Sequence, residues 1–228
     1  MNGFSNPYVG IHERHMRACF IRRHDGSGKA DGVKQIPNAI IGDLDSLDER
    51  VEAFYRDRGV AIVRDPDQYS TDFTKCLRWL RQNPSCSERP GSRLDVVALG
   101  GLGGRVDQGF SQIHHLYMAT KDNELLVGEI YLLSEQSLSF VLEVGLNKIE
   151  LSRKVYAKNV GIIPINGPGV ITTKGLEWDV RDWKTEFGGQ ISTSNHLISE
   201  TVEIETTTRA LFTVELAEDL TAKMTKRT

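Results

Sequence analysis

The chain has 228 residues, of which 39% are hydrophobic and 26% are charged, and its formal net charge is −3. This composition is ordinary for a globular protein, and the small net charge does not indicate nucleic-acid binding. The longest apolar runs, such as Val96 to Leu99, are too short to span a membrane. The three cysteines, few and odd in number, argue against a disulfide framework, so we expect a reducing, cytoplasmic location.

Up to about residue 145, short β-type runs alternate with helical patterns. In chain order, the predicted elements are a strand ending at Ile41, a helix at 47–59, a strand at 60–63, a helix at 71–82, a strand at 94–99, a helix at 106–119, and strands at 130–133 and 138–142. Strands that alternate with helices predict a parallel sheet covered by helices. Residues 1–145 are therefore expected to form an α/β domain.

After residue 145 the helical period disappears. Strands are predicted at 148–151, 161–165, 170–173, 176–180, 197–205 and 210–215, with turn signals at 166–169 and 188–189. This spacing is typical of an antiparallel sandwich or barrel. The predicted fold is thus a parallel-sheet α/β domain followed by an all-β sandwich domain at 146–228.

The first polar segment follows the strand that ends at Ile41. It places Asp43 and Asp45 two residues apart, where ligands of α/β sheets gather at the carboxyl ends of strands. Paired carboxylates suit Mg²⁺, which prefers oxygen ligands. The alternative is that Asp45 and Ser46 cap the following helix.

The second polar segment covers residues 65–75. A helix begins at Ser70 or Thr71, so Asp72 lies in its first turn and Lys75 follows on about the same face. This pair is suited to hold a metal and a phosphate side by side. The alternative is an acid favoured by the helix dipole and a solvated lysine.

The third polar segment is a glycine-rich loop between a strand and a helix. Its glycines are Gly100, Gly101, Gly103 and Gly104. They allow backbone N–H groups to approach a phosphate at a helix N-terminus, and Arg105 adds a bidentate phosphate donor beside the Asp107 carboxylate. The spacing fits neither a P-loop nor a dinucleotide fingerprint, and a flexible turn is the alternative. Together the three segments point to metal-dependent phosphoryl chemistry.

Five motifs in order make the sequence resemble the thiamine pyrophosphokinase family, in its eukaryotic, fungal-like form. They are Gly-Asp-x-Asp-Ser at 42–46, Thr-Asp-x-x-Lys at 71–75, Gly-Gly-x-Gly-Gly-Arg-x-Asp at 100–107, Thr-x-Gly-Leu-x-Trp at 173–178 and Ser-Thr-Ser-Asn at 192–195. The resemblance covers about residues 36–217. It implies an ATP-binding catalytic domain, a thiamine-binding sandwich, and a homodimer with active sites formed between subunits. The implied reaction converts ATP and thiamine to AMP and thiamine diphosphate with Mg²⁺.

The resemblance also implies roles for individual residues. The metal ligands would be Asp43, Asp45 and Asp72. The catalytic set would be these three with Lys75, Arg105 and Asp107. The ATP contacts would be Gly42, Asp43, Ser46, Lys75, Gly100, Gly101, Gly103 and Arg105. The thiamine contacts would be Gln68, Asp107, Trp178, Ser192, Ser194 and Asn195.

Two of these roles rest on simple chemistry as well. A carboxylate such as Asp107 is able to accept the proton of the thiamine hydroxyl. Thiamine is flat and cationic, so the face of Trp178 is a natural partner for it. From the residues alone, the alternative for Trp178 is a place in the core of the sandwich.

The amino-terminal part departs from the family pattern. Val33 stands where the family has glycine, and only the nine residues from Val33 to Ile41 separate Gly32 from Gly42. That is too short for a crossover helix with its loops, and residues 1–29 do not resemble the family's first strand. The alternative function is therefore a catalytically impaired thiamine- or nucleotide-binding relative that lacks the first βα unit. Another small-molecule kinase on the same scaffold is a third possibility.

Overall fold

The computed structural model describes residues 8–11, 19–22, 36–45, 47–83, 95–100, 102–119 and 128–218. The chain divides into two compact units, Met1–Leu132 and Leu133–Thr228. In the part of the chain so described, no helix is long and apolar enough to cross a membrane.

The first unit contains strands and helices in alternation. Its elements are β1 (Tyr8–Ile11), β2 (Cys19–Arg22), β3 (Ala39–Gly42), α1 (Glu49–Arg56), β4 (Ala61–Arg64), α2 (Asp72–Gln82), β5 (Val96–Leu99), α3 (Val106–Ala119) and β6 (Ile130–Leu133). The elements from β3 onward lie within three residues of their predicted bounds, and β1 and β2 were not predicted.

The sheet of the first unit has the strand order β6-β5-β1-β2-β3-β4. β1 runs parallel to β5 and β3 runs parallel to β4, but β2 is antiparallel to both of its neighbours. The two reversals around β2 leave β1, β3, β4 and β5 running in the same direction. The sheet is therefore mixed, yet the carboxyl ends of β3, β4 and β5 still lie along one edge.

The helix α2 carries its apolar residues on one face. Phe73, Leu77 and Leu80 are buried at helical spacing, and α2 packs against β3 and β2. Thr71 is the N-cap, and its side-chain oxygen accepts from the Thr74 backbone N–H at 3.2 Å. The Thr71 cap therefore determines that α2 begins at Asp72.

The helix α1 starts later than predicted. Its N-cap is Asp48, whose carboxylate accepts from the Arg50 backbone N–H at 2.8 Å. The interpretation of Asp45 and Ser46 as the cap of this helix is therefore wrong. The helix ends at Arg56, and the chain turns through Gly59, whose φ of +75° favours glycine.

The second unit is made of antiparallel strands. They are β7 (Ser137–Leu142), β8 (Gly145–Glu150), β9 (Tyr156–Ile163), β10 (Gly169–Lys174), β11 (Trp183–Thr185), β12 (Ser192–His196), β13 (Thr201–Thr206) and β14 (Ala210–Leu216). They form one layer in the order β12-β9-β14-β7 and another in the order β11-β10-β13-β8. Phe212 and Ile162 from the first layer share a core with Ile171 and Val202 from the second. The predicted fold class, α/β followed by an antiparallel sandwich, is confirmed.

The second unit differs from the sequence prediction at several points: β11 and β12 were not predicted, and β9 begins five residues before the predicted strand at 161–165. The units divide between Leu132 and Leu133 rather than after residue 145, because β7 pairs with β14 and so belongs to the sandwich. The strand predicted at 176–180 is wrong, since those residues form a turn between β10 and β11. The short polar strands β11 and β12 lack the apolar alternation that marks a strand in sequence.

Candidate functional site

Three loops leave the first unit's sheet at the same edge. Residues 43–45 follow β3, residues 65–71 follow β4, and residues 100–105 follow β5. Because these strands run in one direction, the polar segments singled out in the sequence emerge side by side. Ser46 and Gly101 lie outside the described residues, as does the segment with Val33.

A buried lysine forms the centre of this edge. The Lys75 side chain is 2% exposed, and its Nζ lies 3.5 Å from Asp72 Oδ1. The Asp43 backbone N–H also favours the charged Asp72 carboxylate and so lowers its pKa slightly. The alternative of a solvated lysine is therefore wrong. Burying a cation costs free energy unless the cation is paired. The stability of α2 therefore depends on Asp72 staying beside Lys75 at this edge of the sheet.

The Asp72 carboxyl lies in an unusual electrostatic environment. Burial raises the pKa of Asp72 above its ordinary value, Lys75 opposes that rise, and the nearby Asp43 carboxylate adds to it. A second carboxylate raises the pKa because the two negative charges repel each other. A cation placed at Asp43 and Asp72 would relieve this repulsion, which makes the pair a candidate ion-binding group.

Asp45 points to a different partner. Its Oδ1 lies 2.8 Å from Arg64 Nη2, and both side chains are exposed. The turn before it is held by Asp43 Oδ1, which accepts from the Asp45 backbone N–H at 3.2 Å, and Leu44 takes a φ of +60°. The structure thus brings Asp43 and Asp72 together but commits Asp45 to an ion pair.

No group of three or more histidine, cysteine or acidic side chains placed to hold a metal ion occurs among the described residues. Mg²⁺, however, is usually held by one or two carboxylates plus substrate phosphates and water. The oxygen donors of Asp43 and Asp72 fit that smaller requirement.

The glycine-rich loop has the backbone that its glycines allow. Gly100 and Gly104 take φ values of +74° and +67° in the left-handed region. α3 begins directly after the loop, and the Arg105 carbonyl accepts from the Gly109 N–H at 3.1 Å. The loop therefore leads into a helix N-terminus, which favours an anion.

Arg105 and Asp107 bind each other at the start of α3. Arg105 Nε and Nη2 donate to the two carboxylate oxygens of Asp107 at 3.0 and 2.5 Å, and both residues are exposed. Hydrogen bonding to Arg105 lowers the pKa of Asp107, and the same bond raises the pKa of Arg105. Both groups are thus charged at neutral pH, and a phosphate would compete with Asp107 for the guanidinium.

A shallow cleft of about 270 Å³ lies against the glycine loop. Its walls include Arg105, Gly109 and the apolar side chains of Val106, Phe110 and Ile113. Val106 and Phe110 are also exposed to solvent. The cleft thus combines an apolar wall with the Arg105 side chain.

Asp67 organises the loop after β4, and the sequence prediction missed it. Its carboxylate accepts from the Tyr69 backbone N–H at 2.9 Å and from Ser70 Oγ at 2.5 Å, and Arg78 lies 3.5 Å away. The Ser70 hydrogen bond lowers the pKa of Asp67. The spacing Asp-x-x-Ser was the available signal, because such residues often bond to the local backbone. The neighbouring Gln68, predicted to contact thiamine, is exposed.

In the second unit, the turn at 175–178 is built by one carboxylate. Asp179 accepts from Thr173 Oγ1 at 2.9 Å and from the backbone N–H groups of Gly175 and Leu176 at 3.0 and 3.2 Å. Gly175 has a φ of +100°, and a Cβ there would lie 2.6 Å from the Thr201 carbonyl oxygen. The residues of the motif Thr-x-Gly-Leu-x-Trp therefore form this turn together with Asp179, which the sequence prediction did not include.

Trp178 lies on the surface at the end of that turn. Its side chain is 54% exposed, so the alternative of a core position is wrong. Asn195 is 6% exposed, and its Oδ1 accepts from the Trp178 backbone N–H at 3.1 Å while its Nδ2 donates to the Trp178 carbonyl at 3.0 Å. The buried Asn195 amide thus holds the Trp178 backbone through two hydrogen bonds.

The other predicted thiamine contacts of this unit lie on β12. The register of β12 shifts between Ser192 and Asn195, and Ser194 takes a φ of +56°. Such a bulge turns side chains out of the regular alternation and often occurs beside binding sites. His196, which the sequence prediction missed, places its ring 4.8 Å from that of Trp178, and its Nδ1 lies 2.5 Å from Glu177 Oε2.

Both parts of the chain are similar to known proteins. Residues 17–127 match the family described as thiamin pyrophosphokinase, catalytic domain, and residues 147–211 match thiamin pyrophosphokinase, vitamin B1 binding domain. The chain is 34% identical over 183 residues to thiamine pyrophosphokinase 1 of rice, Oryza sativa subsp. japonica. The aligned region covers 79% of this chain and 66% of that relative. It therefore spans just under two thirds of the length of this relative.

Two further relatives extend the comparison. Thiamine pyrophosphokinase 2 of rice is 32% identical over 200 residues, covering 86% of this chain and 72% of the relative. The crystal structure of yeast thiamin pyrophosphokinase superposes with a TM-score of 0.70 and 29% identity, covering 81% of this chain and 71% of that one.

Proposed function

The chain belongs to the thiamin pyrophosphokinase family, and from this premise we propose that it transfers a pyrophosphoryl group from ATP to thiamine, releasing AMP. One observation carries the proposal: Asp43, Asp72 and the buried Lys75 lie together at the edge of the sheet from which the glycine loop also leaves. Carboxylates beside a cation and a helix N-terminus are the groups that phosphoryl transfer requires.

The reaction forms one bond and breaks one. The hydroxyl oxygen of thiamine attacks the β-phosphorus of ATP, and the bond from that phosphorus to the oxygen on the α-phosphorus breaks, so that AMP leaves. Lys75 and Arg105 would neutralise phosphate charge as it shifts toward the leaving group. The glycine loop and the N-terminus of α3 would hold phosphate oxygens through backbone N–H groups. The contacts proposed for ATP otherwise remain Gly42, Asp43, Ser46, Gly100, Gly101 and Gly103.

Asp107 is our candidate for the acceptor of the hydroxyl proton. While Arg105 holds it, its lowered pKa makes it a weak base. When Arg105 turns to a phosphate, Asp107 loses that hydrogen bond and its pKa rises toward the ordinary value. Phosphate binding and proton uptake would in this way be coupled through one guanidinium.

Asp43 and Asp72 would hold Mg²⁺, and Asp45 would join them only after leaving Arg64. When bound, the ion supplies charge neutralisation on the phosphates of ATP. Lys75, which pairs with Asp72, favours the ionised form of that carboxylate and so opposes the rise in its pKa that burial causes.

Thiamine would lie against the exposed face of Trp178, which Asn195 and His196 of β12 contact, and would also reach Ser192 and Ser194 of the same strand. A cation over an aromatic face is stabilised by about 1 to 2 kcal/mol. Trp178→Ala is therefore expected to raise the KM for thiamine by about 5- to 30-fold, with little change in the KM for ATP. Steady-state kinetics with each substrate varied in turn measures this.

Trp178→Phe is the matched control, because it keeps an aromatic face of smaller area. Its KM for thiamine should fall between those of the wild-type and Trp178→Ala proteins. An unchanged KM in Trp178→Ala would place the thiamine site elsewhere.

The function itself is tested by incubating the purified chain with ATP, Mg²⁺ and thiamine and separating the products. We expect AMP and thiamine diphosphate in equal amounts. ADP in place of AMP would indicate another small-molecule kinase. Thiamine binding without any AMP would indicate a catalytically impaired relative.

The strands β1 and β2 fill the sheet between β5 and β3, so β3 has a neighbour on both sides despite the short opening segment.

We further propose a homodimer with active sites formed between subunits, and a cytoplasmic location. The first rests on the family resemblance and is measured by sedimentation equilibrium at several protein concentrations. The second is supported by the small, odd number of cysteines, and Cys76 is buried in the core of the first unit. Cell fractionation of the tagged protein tests it.

A further inference from the structure

A buried histidine on α3 is joined to the N-terminus of α2. His115 is 1% exposed, and its Nδ1 lies 2.5 Å from the Ser111 carbonyl oxygen. Its Nε2 lies 2.7 Å from Thr71 Oγ1 and 3.0 Å from Thr74 Oγ1. The ring therefore connects the two helices at the first turn of α2.

The partners of the ring define the direction of each hydrogen bond. A carbonyl oxygen only accepts, so Nδ1 carries the hydrogen that is donated to Ser111. In the neutral ring Nε2 is then the acceptor, and the nearer hydroxyl, that of Thr71, donates to it. Burial lowers the pKa of His115, which favours this neutral form.

The Thr71 hydroxyl is fully used in this arrangement. It accepts from the Thr74 backbone N–H at 3.2 Å, and Thr74 Oγ1 lies 3.0 Å away as a second donor. Its own hydrogen is then directed to Nε2 of His115. An N-cap hydroxyl that is held in this way has one orientation instead of three.

The same ring also touches the residue after Asp72. The centroids of His115 and Phe73 lie 5.0 Å apart in an edge-on arrangement. The Lys75 backbone N–H bonds to the Thr71 carbonyl at 3.0 Å, so the cap and the lysine share one helical turn. His115 thus contacts the residues on both sides of Asp72.

We propose that His115 is a positioning residue for the transfer reaction, holding the first turn of α2 so that Asp72 and Lys75 keep their places at the sheet edge. This inference rests on the proposed function. His115 acts through Thr71, Thr74 and Phe73.

His115→Phe is the main test, because it keeps a ring against Phe73 and removes the acceptor at Nε2. We expect kcat to fall on the order of tenfold while the KM for thiamine stays unchanged. His115→Gln restores an acceptor near the position of Nε2 and should recover most of kcat. A fall in melting temperature without a fall in kcat would overturn the proposal, as would equal kcat values for the Phe and Gln variants.

Thr71 provides an independent second test. Thr71→Val removes the cap hydroxyl and should lower kcat as His115→Phe does, whereas Thr71→Ser keeps the hydroxyl and should retain kcat. If His115 acts through this hydroxyl, the double variant His115→Phe/Thr71→Val loses no more than the worse single variant. Losses that multiply in the double variant would overturn the proposal.

Hydrogen exchange separates this inference from the proposed function. The Thr74 and Lys75 amides should exchange faster in His115→Phe than in the wild-type protein, and His114→Gln, an exposed neighbour, should leave them unchanged. Unchanged exchange in His115→Phe contradicts the positioning role even in an active enzyme. A wild-type protein that forms no AMP contradicts the proposed function and, with it, a role in the reaction, whatever the exchange rates are.

Discussion

Asp72→Asn is expected to lower the rate of AMP formation by on the order of a thousandfold. The substitution removes the negative charge that lies beside Asp43 and keeps the shape of the side chain, so any loss reflects charge. Without it, Asp43 alone would remain to hold a cation at this position. Product formation at saturating ATP, Mg²⁺ and thiamine measures the effect.

The same substitution should also destabilise the first unit. Lys75 is buried, and its Nζ would face an amide instead of a carboxylate. Leaving a buried charge without its partner costs about 3 kcal/mol, which urea unfolding of the variant would detect. Asp72 therefore serves both the fold and the proposed chemistry, and the two effects have to be separated.

The double variant Asp72→Asn/Lys75→Met separates them. Removing the lysine charge as well should recover much of the lost stability, because no unpaired charge remains buried, while activity stays low. Asp57→Asn, at the exposed C-cap of α1, is the matched control and should leave both stability and activity unchanged within error. Activity within a few-fold of wild type in Asp72→Asn would remove Asp72 from the reaction.

The sequence predicted the local parts of this site well because local rules govern them. Thr71 is an N-cap followed by apolar residues at helical spacing, so α2 and the position of Asp72 in its first turn were predictable. The glycine loop between β5 and α3 was predictable for the same reason. The pairing of Asp45 with Arg64 was not, because it depends on the register in which β3 and β4 lie side by side.

Burial decided the cases that the sequence left open. Whether Lys75 is solvated or buried depends on what packs over the first turn of α2, and no local pattern contains that information. The position of Trp178, in the core or on the surface, was undecided for the same reason, because a tryptophan in a β-rich segment is compatible with either. The turn before it was predicted as a strand because Leu176 and Val180 are apolar, whereas hydrogen bonds to Asp179 determine its conformation.

Asn195→Ala is the second substitution for which we expect a large effect. The Asn195 side chain accepts from the Trp178 and His196 backbone N–H groups at 3.1 and 2.8 Å and donates to the Trp178 carbonyl. Alanine would leave these backbone groups without partners, at a cost of about 2 to 3 kcal/mol in the free energy of unfolding. Thr193→Ala, an exposed neighbour on β12, should cost less than about 0.5 kcal/mol.

The role of Asn195 in binding thiamine is a separate question with its own test. Both polar atoms of its amide are used by backbone groups, so we expect it to act through the orientation of Trp178 and not through contact with thiamine. The KM for thiamine should then rise on the order of tenfold in Asn195→Ala. It should rise no further when Asn195→Ala is added to Trp178→Ala, because the ring that Asn195 positions is already gone. If the two substitutions instead raise the KM independently, the amide contacts thiamine itself, and the hydrogen bonds to Trp178 must break when thiamine binds.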